Sequence, residues 1–316
     1  METRSIVEQS DVRSGQEGAR TDELRARLHG MWAAVAGAWE EHADYVDARG
    51  ASVTEKMLGL TLPQPGERVL ELACGPGSVG LAAAARVAPE GEVVMSDVVA
   101  EMTAIAAARA EALGLRNAST RVLTLRRPRA SARNVSTRVL DLERIEEADG
   151  SYDVVLCREG LMLVPDPARA ASEIRRVLRP GGRVALAVWG PRARNPWLGI
   201  VFDTVSAQMG APTPPPGIPH PFSLDDPDKL AGLLSDAGLS EVIVGELPTP
   251  YHAASFEEWW ERSCSLAGPL AQKLASLPEA AAQALRARAG EAIMAYDGPD
   301  GLEFPGVSLV AAARRP

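Results

Sequence analysis

Residues 69–77 read Val69-Leu70-Glu71-Leu72-Ala73-Cys74-Gly75-Pro76-Gly77. An apolar run (Val69, Leu70, Leu72) meets a glycine turn at Gly75 and Gly77. A helical pattern then begins at Ser78, with Val79, Ala82, Ala83 and Val87 on one face. A strand that feeds a glycine turn and then a helix brings backbone N–H groups and a helix N-terminus up to a ligand. Glycine serves where a Cβ blocks that approach. Glu71 stands out, because a strand covered on both faces is apolar throughout. An acid near its C-terminal end marks a site.

Outward from this turn, Gly75, Gly77 and Gly80 satisfy G-x-G-x-x-G. Asp97 follows 17 residues past Gly80, at the end of an apolar strand over 92–96. This is a nucleotide-type βαβ unit whose second acid accepts hydrogen bonds from ribose hydroxyls. By itself the motif does not separate a nicotinamide enzyme from one that uses S-adenosylmethionine.

The rest of the core alternates. Strand 69–73 precedes helix 78–88, strand 92–96 precedes a helix over 100–113, strand 152–157 precedes helix 167–178, and strand 183–189 follows. Alternation at this spacing predicts a parallel, doubly wound α/β sheet. Residues 116–125 and 133–142 are nearly the same sequence, identical at eight of ten positions at an offset of 17. Only one copy can fill the single strand slot beside the second strand. The second copy is expected there, because it alone carries an acid, Asp141 against Thr124, and it lies at the usual distance from strand 152–157. The first copy and residues 126–133 then form an inserted surface excursion, which costs little loop entropy.

These stretches, in this order, resemble the class I S-adenosylmethionine-dependent methyltransferases, in the ubiquinone/menaquinone-type small-molecule branch (methyltransferase type 11). Glu71-Leu72-Ala73-Cys74-Gly75-Pro76-Gly77 resembles that family's motif acid-x-Gly-x-Gly-x-Gly, with Ala73 at the first glycine position. Asp141 resembles the acid that meets the adenine amino group. Ser151 to Cys157 resembles the fourth strand, Arg158 to Pro167 the loop beyond it, and Leu178-Arg179-Pro180-Gly181-Gly182-Arg183-Val184 the entry to the fifth strand. The resemblance implies a mostly parallel, seven-stranded Rossmann-like sheet with an antiparallel last strand at 307–312, and S-adenosyl-L-methionine as cofactor. It implies cofactor contacts at Trp39, Glu71 (methionine ammonium), Ala73, Cys74, Gly75, Gly77, Asp97 (ribose), Val98, Met102, Asp141, Leu142, Cys157, Arg158 and Glu159.

Residues 1–20 are polar and expected to be disordered, and 21–316 form a single methyltransferase domain. A helical pattern from Leu24 through Trp32, Trp39 and His42 makes an N-terminal cap over about 21–48. The core covers about 50–191, 223–250 and 303–316. A proline-rich stretch over 190–222 contains a helix at about 196–209, then loop. A helix is expected over 228–237 and a strand over 241–245. A wholly helical insert over 255–296, within about 252–298, precedes the last strand, where a substrate lid, a packing element or a dimer face belongs. Trp259 and Trp260 at its start hint at an apolar or aromatic acceptor.

The chain has 316 residues and a net charge of −9, which argues against nucleic-acid binding. Three scattered cysteines fit reduced cytoplasmic thiols without a metal site. No stretch approaches the apolar length of a membrane span. The partner expected is a small-molecule substrate, with a homodimer left open. Methyl transfer is an SN2 displacement in which the protein aligns nucleophile and methyl, and a general base helps a hydroxyl or an acidic carbon. His42, His220 and His252 are the candidate bases, with His29 set well below them. Two alternatives stay open: a nicotinamide-dependent oxidoreductase, and a non-catalytic S-adenosylmethionine-binding protein. No tyrosine is followed four residues on by lysine, which counts against a short-chain dehydrogenase.

Overall fold

The computed structural model describes residues 21–115 and 134–316. Three helices come first: α1 over 21–33, α2 (Ala36–Glu41) and α3 (Ala43–Thr61). The expected N-terminal helical run is therefore interrupted at 34–35 and again at His42. Its third part does not belong to a detached cap. Val53, Met57 and Leu58 of α3 are fully buried against the sheet.

The strand–helix alternation follows: β1 (Arg68–Leu72), α4 (Ser78–Val87), β2 (Glu92–Asp97), α5 (Ala100–Ala112), β3 (Asn134–Val139), β4 (Tyr152–Arg158), α6 (Pro167–Val177) and β5 (Leu178–Trp189). α7 (Pro196–Met209), α8 (Pro227–Asp236), β6 (Ser240–Pro248) and β7 (Tyr251–Ala253) come next. The insert holds α9 (Phe256–Ser265), α10 (Gly268–Ala275) and α11 (Glu279–Ile293). The chain closes with β8 (Asp297–Gly298), β9 (Gly301–Phe304) and β10 (Val307–Arg314).

Seven strands make one sheet in the order β3-β2-β1-β4-β5-β10-β6. β1 pairs in parallel with both β2 and β4, while β10 runs antiparallel between β5 and β6. The order reverses between β1 and β4, and that switch point is where an open α/β sheet binds ligands. Val69, Leu70, Leu72, Val154, Val155 and Leu156 are wholly buried, as strands covered on both faces require. α6 starts where Asp166 accepts the Arg169 N–H at 2.9 Å and Pro167 takes the first turn. Its apolar stripe Ala170, Ala171, Ile174 and Val177 is buried on the sheet.

The second copy of the duplicated segment does occupy the slot beside β2, with Asn134 to Val139 in register with Glu92 to Asp97. The first copy, the excursion over 126–133 and the tail over 1–20 lie outside the described residues.

The insert is helical as expected, in separate pieces. Pro269 and Pro278 lack the N–H that a continuing helix needs, and the chain forms three helices instead. A three-stranded sheet, β7-β9-β8, was also not foreseen. Strands of two to four residues are too short for a period-two pattern to show. Trp259 is fully buried, and its Nε1–H donates to the Trp197 carbonyl at 2.8 Å. It locks the insert to α7 and does not face the cavity.

Candidate functional site

At the C-terminal end of β1 the backbone turns through left-handed conformations at Ala73 (φ 49°), Gly75 (φ 50°) and Gly77 (φ 89°). Alanine therefore adopts at position 73 a conformation that costs a non-glycine residue about 1–2 kcal/mol. The space for its methyl comes from Gly160, where a Cβ would stand 2.4 Å from that of Ala73. Gly80 is required for a different reason. A Cβ there would meet the Glu71 carboxylate at 2.5 Å and Met95 at 2.6 Å.

Glu71 is 2% exposed, and its two oxygens accept the N–H groups of Val79 (3.1 Å) and Gly80 (2.8 Å). It satisfies donors that the first turn of α4 leaves open. Burial pushes the carboxyl up to about 8, opposed by the Gly80 N–H, the Arg158 charge and the Val79 N–H. Asp97, at the end of β2, accepts from Gly75 N–H (3.0 Å) and Val99 N–H (3.1 Å). Burial raises its carboxyl too, against those bonds.

A cavity opens above this floor, with about 1690 Å³ of empty space that includes a mouth to solvent. On one side it is lined by Trp39, Asp97, Val98, Met102, Asp141 and Leu142. Asp141 accepts the Glu143 N–H at 2.8 Å and lies 3.2 Å from Arg25 of α1. On the other side stand Tyr45 and Arg49 of α3, Trp189 of β5, Trp197 of α7, Tyr251 of β7, and Arg262 and Ser263 of α9. Between the two, at the end of β4, lie Arg158 and Glu159. Arg158 donates to Thr54 Oγ1 at 3.0 Å and reaches over Gly50, where a Cβ would stand 2.1 Å from its guanidinium. Glu159 has φ 60°, a strained backbone for a glutamate. Burial raises its carboxyl, with the charges of Arg158 and Arg49 opposing.

Of the residues singled out from sequence, Trp39, Glu71, Ala73, Cys74, Gly75, Asp97, Val98, Met102, Asp141, Leu142, Arg158 and Glu159 come together on this cavity. Gly77 and Cys157 stand behind it. Gly77 is the N-cap of α4 against Met95, and the Cys157 sulfur packs toward Gly160.

The three candidate histidines are not on the cavity. His42 pairs with Glu261 at 3.0 Å. His220 accepts the Phe222 N–H through Nδ1 at 3.1 Å in its own turn. His252 is exposed on β7 opposite Glu303. The histidine that does line the cavity is His29, set aside on sequence. Sequence reasoning also missed Arg49 and Tyr45, one helical turn apart on α3, and Arg262 and Ser263. The i, i+4 pair Tyr45/Arg49, following Trp39, was the available signal.

The fold and the switch-point cavity define a doubly wound α/β protein that binds a nucleotide-bearing ligand beyond β1 and β2. Residues 70–186 match the methyltransferase domain family. Over 216 residues the chain is 32% identical to nocamycin O-methyltransferase of Saccharothrix syringae, covering 63% of this chain and 70% of that protein. It is also 32% identical over 171 residues to an uncharacterised protein of Mycobacterium tuberculosis, and this match spans about half of each (54% and 53%). The YcgJ protein of Bacillus subtilis superposes with a TM-score of 0.53 at 16% identity, covering 83% of this chain and 97% of that one, a likeness of fold alone.

The chain belongs to the class I S-adenosylmethionine-dependent methyltransferases, and its cofactor is S-adenosylmethionine. The residues fit that cofactor. Asp97 accepts from the Gly75 and Val99 N–H groups, a carboxylate has about four lone-pair sites in all, and Val98, Met102 and Leu142 give the adjoining wall apolar surface. Among the described residues no helix is long and apolar enough to cross a membrane.

Proposed function

We propose that this enzyme methylates an oxygen of a small-molecule acceptor held between α3, β5, α7 and α9, in the cytoplasm. The observation that carries the reading is the cavity itself. Its lining takes in the glycine turn and Asp97, Glu159, and the aromatic residues Tyr45, Trp189, Trp197 and Tyr251. The named relative being an O-methyltransferase supports oxygen as the acceptor atom, and three free cysteines support a reducing compartment.

Asp97 takes the ribose hydroxyls, Asp141 and Leu142 the adenine edge, and Trp39 with Glu71 the methionine end. When bound, the cofactor supplies a sulfonium-activated methyl group. The chain contributes alignment and exclusion of water, through the rings of Tyr45, Trp189, Trp197 and Tyr251.

Glu159 replaces the three histidines as the group that takes the acceptor's proton. It lines the same cavity as the glycine turn and the aromatic wall, and no described side chain hydrogen-bonds its carboxylate. Its raised carboxyl brings it closer to the pH at which a base works.

Calorimetric titration with S-adenosylmethionine, S-adenosylhomocysteine and NADH tests the reading, followed by a mass-spectrometric screen of hydroxylated acceptors. Binding of both sulfur nucleotides without NADH, and a product heavier by one methyl that is lost in Glu159→Gln, is the expected result. Turnover of amines or carbon acids alone would overturn the oxygen assignment.

A further inference from the structure

Four arginines line the cavity: Arg25, Arg49, Arg158 and Arg262. Three have partners. Arg25 holds Glu143 (2.8 Å) and Asp141, Arg158 holds Thr54 (3.0 Å), and Arg262 holds Glu258 (2.5 Å). Arg49 differs. Its Nε and Nη2 are buried and have no hydrogen-bond partner among the described residues. Its guanidinium carbon instead lies over three rings: Trp197 at 4.1 Å, Trp189 at 4.6 Å and Tyr251 at 5.0 Å. Trp197 and Tyr251 stack on each other (5.1 Å between centroids, 10° between planes). Cation–π contact accounts for the face of a guanidinium. It leaves the N–H edge without an acceptor, and a buried N–H donor without one is costly.

The hydroxyls of Tyr45, Tyr251 and Ser263 lie buried together on the same cavity wall, Tyr251 between the other two. A hydroxyl can donate or accept, whereas a guanidinium can only donate, so the group missing beside the Arg49 edge is an acceptor.

We infer that Arg49, set among Trp189, Trp197 and Tyr251, is the anchor for an anionic oxygen on a planar, conjugated acceptor, a carboxylate or an ionised enol. This rests on the methyltransferase reading and names its substrate class. Guanidinium N–H groups match a carboxylate or an enolate with a neighbouring carbonyl in a two-point contact. The rings on either side suit a flat π system.

Two probe pairs test it by calorimetry, with S-adenosylhomocysteine present: 2-naphthoate against its neutral amide, and 4-hydroxycoumarin, an acidic enol, against coumarin. The first pair reports a carboxylate, the second an enolate. The expected result is at least tenfold tighter binding of the anion in one pair or both, about 1.4 kcal/mol. Arg49→Met should abolish that preference, and Arg49→Lys should recover part of it. An equal affinity within both pairs, a preference that survives in Arg49→Met, or no binding of any probe at millimolar concentration would overturn the anchor. S-adenosylhomocysteine affinity of the Arg49→Met protein, expected to equal that of the wild type, shows that the fold is kept. Failure of the wild type to bind S-adenosylhomocysteine would count against the methyltransferase reading instead, and the anion preference can still be scored without it.

Discussion

Replacing Gly160 by alanine isolates the contact on which the turn depends. Gly160 has φ −106°, a conformation open to alanine, so the substitution adds no backbone strain. It adds only a methyl, placed 2.4 Å from the Ala73 Cβ and 2.9 Å from the Cys157 sulfur. Ordinary contacts begin near 3.4 Å, so the wall must open by about 1 Å. Ala73 directly follows the buried Leu72 of β1 and Cys157 is buried near the end of β4, where movement is resisted. Overpacking of this kind costs about 1–3 kcal/mol, and the tight fit places Gly160→Ala in the upper half of that range.

Ala73→Gly alone should be close to neutral. It releases a left-handed alanine, worth about 1–2 kcal/mol, and adds glycine's chain entropy, about 0.5–1 kcal/mol against. Combined with Gly160→Ala it removes the closer clash, so the pair should recover about 1–2 kcal/mol relative to the sum of the single changes. Urea unfolding of the four proteins measures the cycle, and S-adenosylhomocysteine titration reports the accompanying change in the cavity. A cost below about 0.5 kcal/mol for Gly160→Ala, or the absence of any coupling between the two sites, would refute the packing account.

Three further outcomes follow from the geometry. Asp97→Ala should weaken S-adenosylhomocysteine binding more than tenfold by calorimetry. It should also cost about 1–3 kcal/mol of stability, because the Gly75 and Val99 N–H groups lose their acceptor. Glu159 is held above its ordinary value by burial, so the folded chain binds its proton more tightly than the unfolded one. Its stabilising share is full below the ordinary carboxylate value and is lost as pH rises through the folded one. Wild type minus Glu159→Gln, compared by urea midpoint at about pH 5 and pH 8, should therefore move against the wild type on raising the pH, and an unchanged difference would remove Glu159 from the buried-acid role. Trp259→Phe should cost about 2–4 kcal/mol by urea unfolding, since it empties volume at a fully buried position and strands the Trp197 carbonyl.

The sheet was legible because β1, β2 and β4 are short, largely apolar and each followed by a helix, so period and spacing carry their order. Even the choice between the duplicated segments was readable, since only one copy ends in an acid and lies near β4. The floor of the site was legible for the same local reason: Glu71, Gly75 and Asp97 sit at fixed offsets from their strands.

The far wall was not. Arg49, Trp197, Tyr251 and Ser263 are separated by up to 214 residues (263 − 49) and meet only through the fold. The one local signal for Arg49 is its i, i+4 spacing from Tyr45, which does not say that the pair meets Trp197 and Tyr251. The histidines misled because a residue type was weighed without its position. Each of the three candidates is held by a neighbour away from the cavity, in an ion pair, a turn or an exposed strand.

β3 is one of the two edge strands of the sheet, bonded to β2 alone. Arg116 and Arg133 open the two copies of the duplicated segment, so a chain lacking residues 116–132 joins Leu115 to Arg133 and reads on through the same Arg-Asn beginning. The helix-to-strand connection left, residues 113–115 and 133, is four residues long, within the 2–6 common for such links. The sequence thus contains a 299-residue version of itself (316 − 17) with the same junction. The joint falls at the N-terminal end of β3, whereas the cavity residues Asp141 and Leu142 follow its C-terminal end, so a change of length there is made away from the reaction chamber.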